Sequence, residues 1–589
     1  MKHIFTFLGL FCCCALVAQT IIGGSNYHDV EVTSSNSTGV GSDSATITDQ
    51  GLSPNLIASS RFLAQASLGA DYEAITMVAD QGFEAWLDNQ FAQPVGLSLK
   101  DYVYDLTEEY KDSLIANGES IEDVSPSRSY WRYAWWQYTM TSPDVLRNRT
   151  ALALSEILVI SEVPDLAGEP LGLASYYDLL LQHSLGNYRD LLYDVTLHPC
   201  MGIYLTHLRN AKTDREDNRF PDENYAREVK QLFSIGLYEL NIDGTQKLDN
   251  NGYPIATYDN GDIAEFAKVF TGLNWGDSES FWSGRRVDSS YTIPMKMYNE
   301  YHEPGAKFLL NGEFVPNRNP VDGIADINDA VDNLFNHPNV GPFLARRLIQ
   351  RFVKSNPSPG YIARVATKFN DNGSGVRGDM KAVIRAILMD QEARDCAFIE
   401  DVTAGMLREP ITRYTQFNRA FNASSDNGRY LNVMNDFKDR TEQRPLSSPS
   451  VFNFFQPDYQ PIGSVADMGL FAPEFQIANS LSTIGYTNEV HDWTYEEESM
   501  QDWRVYSPSP SSGDEVELDL DDEFQLLQSN KVAELLERLN LVLASGQLSE
   551  TTKTIIADTV KEIPQAQVEE RLYMALFLVM VAPDYLILK

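Results

Sequence analysis

Residues 219–240 read RFPDENYAREVKQLFSIGLYEL, and after a short insert residues 257–275 read TYDNGDIAEFAKVFTGLNW. In the first stretch Tyr225, Val229, Leu232 and Phe233 recur at helical spacing, which predicts a helix with one face in the core. Pro221 suits the first helical position, where a missing N–H leaves nothing unpaired. Asp222 and Glu223 follow at the positive end of the helix dipole. Glu223 and Arg227 stand four apart, as do Asn224 and Glu228, so polar pairs line the other face, and Gly236 is placed to end or kink the helix. In the second stretch Asp259 reads as a cap and Asp262, three residues on, completes a variant of the capping box. Ile263, Phe266, Ala267 and Phe270 form the buried stripe, Gly272 is the stop, and Glu265 and Lys268 stay on the polar side.

Working outward, helical patterning continues on both sides. Trp131, Trp135 and Tyr138 share one face of a helix, and at this spacing aromatic residues form core more often than a sugar platform. Residues 324–397 and 530–588 are again helical, while 445–463 are rich in Pro and Phe and irregular. Asn251-Gly252 and Asn311-Gly312 are hairpin signals. The expected core gathers Trp131, Trp135, Leu152, Val229, Leu232, Phe233, Phe266, Phe270, Phe343, Leu348 and Phe352. The expected fold is therefore mainly α: a large multi-helix single domain over residues 56–589 with small β-hairpin insertions at about 241–257 and 288–316. An acidic, Ser- and Pro-rich loop is expected at about 494–524.

The chain of 589 residues carries 46 basic and 83 acidic side chains, a net charge of -37. Such a field repels phosphate backbones, which argues against nucleic-acid binding. It suits an acidic protein in salty surroundings, where screening limits self-repulsion. The first 18 residues read as a signal peptide: Lys2 gives the positive start, residues 4–17 a short apolar run, and Ala18 a small residue before cleavage. That run is too short to span a bilayer comfortably, and no later segment reaches transmembrane length. Residues 19–55 are rich in Ser, Thr and Gly without periodicity and read as a disordered linker. The expected location is exported, periplasmic or extracellular. Beyond the signal only Cys200 and Cys396 remain, better read as buried thiols than as a disulfide.

Chemistry leaves few marks. G-x-S-x-G, the phosphate-binding G-x-x-x-x-G-K-[ST] and H-E-x-x-H are all absent. Glu239, Asn241, Asp243 and Gly244 echo the opening of a calcium loop, but Asn250 stands where the bidentate Glu belongs. No two histidines after the signal have ligand spacing; His302, in YHEPGAKFLLNG, is the most suggestive because Glu303 and Lys307 lie close by in an irregular loop.

Together the stretches RFLAQASLGA with WLDNQF, ENYAREVKQLFSIGL, YDNGDIAEFAKVFTGLNW, HEPGAKFLLNG, HPNVGPFLARRLIQRFV with NPSP, PLSSPSVFNFFQPDYQPIG and VAPDYLIL resemble a large bacterial family called domain of unknown function 1800. The resemblance runs from about Ser60 to Lys589. It implies an exported protein, often encoded beside a second exported family, domain of unknown function 1501, which is similar to sulfatases and phosphatases; that neighbour is the expected partner. Two departures stand out. Many members carry Trp-His-Asn-His where this chain reads Leu154-Ser155-Glu156-Ile157, and the usual His-Asp of the loop is here His302-Glu303.

Two functions are carried forward. The preferred one is a cell-surface or periplasmic binding or assembly protein acting with a partner. The alternative is a hydrolase or transferase on extracellular polymer, with a site gathered from Glu223, Asn224, Arg227, Glu228, Glu265 and His302. In that reading Glu228 or Glu223 serves as general base and Arg227 binds an anion or orients the carboxylates.

Overall fold

A computed structural model describes residues 19–22, 30–33, 54–283, 287–395, 401–431, 435–495, 513 and 516–589. The proposed signal peptide, Cys396 and most of the acidic loop lie outside the described residues. Within the stretch read as a linker, Gln19–Ile22 and Val30–Thr33 pair as a short antiparallel ribbon, joining segments that hold Ile21, Ile22, Val30 and Val32.

The described chain is mainly α-helical, and its strands pair only two by two. The apolar stripes merge into one hydrophobic cluster that takes residues from Ile57 through to Tyr585. Both ends of that cluster are tied together: Arg61 Nε donates to the Lys589 carbonyl at 2.5 Å, and Ile587–Leu588 pairs with Met406–Leu407. Trp131, Trp135 and Trp136 are buried, so the aromatic helix Tyr130–Thr141 is core. Of the expected core residues only Leu232 is partly exposed. No described helix is long and apolar enough to cross a membrane.

The central helix is shorter than its periodicity suggests, running Asn224–Gln231. Pro221 lies outside it, because Asp222 binds the loop before it: its N–H donates to Asn210 Oδ1 (2.8 Å) and its carboxylate accepts from Thr206 Oγ1 and the Asn224 N–H. Beyond Gln231 the chain turns irregularly, and the Ile235 and Gly236 N–H groups both fold back on the Lys230 carbonyl. Gly236 has φ +72°, and a side chain there would meet the Phe343 ring at 3.2 Å. The partner helix, Asn260–Val269, starts on the expected capping box of Asp259 and Asp262.

Both hairpin signals form turns. Tyr238 bridges Ala256 and Leu248 bridges Pro254, while Lys307–Phe308 pairs with Phe314–Val315. The acidic loop is shorter at its far end than 524. Val516–Glu517 pairs with Ser424–Ser425, and Asp521–Gln528 is helical, with three acidic residues in the first turn where the dipole favours them.

Candidate functional site

The residues expected to form a site do not gather in one place. Glu223 and Arg227 form a 3.5 Å ion pair on the solvent side of the central helix, and Asn224 reaches Thr206. Glu228 points inward, where burial raises its carboxyl and Arg227 only partly offsets the effect; its Oε2 has no hydrogen bond. Glu265 and His302 flank the Lys307–Phe308 strand instead. Glu265 pairs with Lys268 and accepts the Phe308 N–H at 3.1 Å. His302 is fully buried, with Nδ1 2.8 Å from the Thr271 carbonyl and Nε2 3.0 Å from Asp326. Asp326 also takes Lys307 at 2.5 Å and pairs with Arg318. Burial works to raise the Asp326 carboxyl, but hydrogen bonds from His302 and Lys307 outweigh it and hold it below its usual range.

The polar face of the central helix also hides Lys230, which is fully buried. Its ammonium lies 4.0 Å from the Phe266 ring centre without a hydrogen bond, and burial lowers it to about 7.

A cavity of about 390 Å³ opens on the other side of this region, and none of the six residues lines it. One wall is the helix Val340–Phe352, from the sequence VGPFLARRLIQRF. Arg346, Arg347, Gln350 and Arg351 stand at i, i+1, i+4 and i+5, so one helix face turns all four toward the cavity. The helix start is fixed by Asn339, whose amide donates to the Ile235 and Tyr238 carbonyls at 2.8 Å and accepts the Leu240 N–H. The chain leaving the central helix, from Gln231 through Leu240, thereby becomes the facing wall. The irregular Pro- and Phe-rich stretch supplies a third side, from Val451 to Asp458.

Arg346 and Arg347 have no ion-pair or hydrogen-bond partner among the described residues. Each guanidinium instead lies over an aromatic ring, Arg346 on Phe471 at 5.0 Å and Arg347 on Phe343 at 4.7 Å. Ring contact restrains each guanidinium while its N–H groups donate no hydrogen bond to the described residues. Burial lowers the Arg347 guanidinium to about 10, which leaves it charged at neutral pH. Asp458 at the rim is the carboxylate whose charge acts on both, and two cations without a salt bridge in a chain of net charge -37 are a local contrast.

The floor is a buried ionic cluster. The helix Val145–Ser155 is buried from Leu146 onward, and Glu156 follows at its C-terminal end. Glu156 pairs with Arg351 at 2.8 Å and lines the cavity. Behind it Gln443 Nε2 brings a second carboxyl alongside, donating to Glu409 at 2.5 Å and to Glu156 at 3.4 Å. Burial together with Glu409 raises Glu156 well above the carboxylate range. Arg149 closes the cluster from below, with its Nε and Nη1 unpaired. Glu474 is buried alongside, and burial pushes it up to about 8 against the pull of Arg351 and the nearby Ser355 hydroxyl. The Gln350 Oε1, Asn453 Nδ2 and Arg351 Nη1 atoms of the cavity wall are also without a hydrogen bond.

Sequence reasoning passed over Arg346, Arg347, Glu409 and Asp458. Glu156 was visible only as a departure from Trp-His-Asn-His. The available signal was the ARRLIQRF run, a basic helix face in a strongly acidic chain.

These features define a class: a mainly α-helical protein with an arginine-walled cavity over a buried carboxyl cluster. The family described as "Protein of unknown function (DUF1800)" matches residues 61–587, and the chain belongs to it. No curated protein and no solved structure matches the chain. Among the described residues no group of His, Cys, Asp and Glu is arranged to hold a metal ion. Cys200 is a buried free thiol.

Proposed function

We propose that this chain is an exported binding protein that takes an anionic ligand into the arginine-walled cavity and works with a partner at the cell surface or in the periplasm. The observation that carries the reading is the pair Arg346 and Arg347, stacked on Phe471 and Phe343, with no salt bridge or hydrogen bond among the described residues and with the exposed Asp458 as the carboxylate whose charge reaches them. The volume, about 390 Å³, is within the range of small-molecule sites. Leu237, Tyr238, Ile242, Leu248 and Tyr253 are exposed on the segment that forms the facing wall and its hairpin, and they support a protein contact beside the cavity. The partner that fits the family resemblance is an exported sulfatase-like protein of the domain-of-unknown-function 1501 family.

The test is calorimetric titration with glucuronate, sulfate and phosphate against neutral glucose. Wild type should bind at least one anion, with affinity falling as salt rises. The double variant Arg346→Ala/Arg347→Ala should weaken binding by roughly tenfold or more. Equal affinity for glucose, or an unchanged double variant, overturns the reading. The hydrolase alternative is favoured by one observation, the Glu156 carboxyl on the cavity surface.

A further inference from the structure

The cavity wall has a composition that selects among anions. Beside the arginines it presents the amides of Gln231, Gln246, Gln350, Asn453 and Gln456, and the half-exposed rings of Tyr238 and Phe452. Amides match hydroxyl groups, since each offers both donor and acceptor, and aromatic faces suit the apolar face of a sugar ring. The lining holds no Ser, Thr, Cys, His or Lys, so the usual nucleophile and base of acyl transfer are missing, and Tyr238 supplies the one side-chain hydroxyl. It holds only two carboxyls, Glu156 at the floor and Asp458 at the exposed rim beside Arg346.

We propose that the cavity binds glycosides of sugar acids and hydrolyses them, with Glu156 as general acid and Asp458 as general base. This rests on the anion-binding reading and goes beyond it. Arg346 and Arg347 hold the substrate carboxylate, and the amides hold the hydroxyls. Glu156 gives its proton to the glycosidic oxygen as the bond from that oxygen to the anomeric carbon breaks. Water forms the new bond to the anomeric carbon and gives a proton to Asp458. Asp458 then releases that proton to solvent and Glu156 takes one up, so one water is consumed and the protein is unchanged. A neutral acid and an ionised base are the pair that glycoside hydrolysis requires. Gln443 Nε2 bridges Glu156 and Glu409, so two buried carboxyls lie side by side at the floor, an arrangement that favours a proton on the pair.

The experiment uses the full chain without its signal and four probes, each as both anomers: phenyl and 2,4-dinitrophenyl glucuronides and the matching glucosides. Wild type should cleave phenyl glucuronide and leave the glucosides almost untouched. Glu156→Gln should lose about 10²- to 10⁴-fold on phenyl glucuronide, the usual range for a lost general acid. It should lose far less on the dinitrophenyl substrate, whose leaving group needs no proton. Asp458→Asn, at the exposed rim and away from the core, should slow both substrates. A Glu156→Gln variant equally active on phenyl glucuronide, or equally impaired on both leaving groups, overturns the acid. Wild type that binds glucuronate in the calorimeter but cleaves neither glucuronide overturns this inference and leaves the binding function standing. Wild type that binds sulfate or phosphate but no glucuronate likewise overturns this inference alone, and wild type that binds none of the three anions overturns both.

Discussion

Two buried ionic clusters in this molecule are built to opposite rules. In the first, Asp326 takes His302, Lys307 and Arg318, and Arg318 goes on to Asp329 at 2.6 Å. No buried nitrogen or oxygen of those side chains lacks a hydrogen bond. In the second, Arg149, Glu156, Arg351, Glu409 and Glu474 share a floor with unpaired atoms on Arg149 and Arg351. The first cluster joins the Lys307–Phe308 hairpin to the helix Gly323–Asn336, and the second opens on a cavity. A saturated network has nothing left to offer a ligand and acts as scaffold. An under-saturated one in low dielectric is tolerated only where something else completes it.

The comparison is broken most directly at Asp326. Asp326→Ala leaves Lys307 buried without its counter-ion and should destabilise the protein by about 3–5 kcal/mol in urea denaturation. A loss below about 1 kcal/mol would mean the network is relaxed by water and is not the scaffold it resembles.

The same contrast appears in pH dependence. The Asp326 carboxyl is held below its unfolded value, so its contribution is present above the unfolded value and is lost as pH falls through the folded one. Glu474 has the opposite sign. Its folded value of about 8 stands above the ordinary 4.5, so the folded state binds the extra proton between these limits and stability falls as pH rises from about 4.5 to about 8. Glu474→Gln removes the ionisation and should flatten the stability profile over that window, with the largest gain over wild type at pH 8 and above. Parallel profiles for the two proteins would show that Glu474 ionises freely.

How much of this was legible beforehand differs by region. The capping box at Asp259, the stripe from Ile263 to Phe270 and the hairpins at Asn251-Gly252 and Asn311-Gly312 are local features, decided by neighbours within a few residues. The cavity is not local. Glu156 and Glu409 lie far apart in sequence, and Asp458 comes from an irregular stretch without periodicity, so only the folded chain brings them together. The charged positions of the central helix misled for a physical reason: i, i+4 spacing reports a shared helix face, and a shared face is compatible with solvent. His302 misled because a loop histidine beside a carboxylate looks accessible until the Gly323–Asn336 helix covers it.

Smaller effects separate binding from folding at the cavity wall. Arg346→Ala or Arg347→Ala removes a stacked cation that forms no salt bridge, so each should change stability by less than about 1 kcal/mol while weakening anion binding. A variant that loses both equally would make these arginines structural, and the cavity would join the saturated cluster as scaffold.

The smallest expected effect tests the central helix itself. Glu223 and Arg227 are about half exposed and 3.5 Å apart, a geometry in which water and salt screen most of the attraction. Arg227→Ala should therefore shift stability by only about 0.5 kcal/mol or less, and the shift should vanish in high salt. Anion affinity should stay as in wild type, since Arg227 does not line the cavity. Should Arg227→Ala abolish anion binding while leaving the fold intact, the ligand would sit on the solvent face of the central helix. The stacked arginines of the Val340–Phe352 helix would then have to be explained by something other than a bound anion.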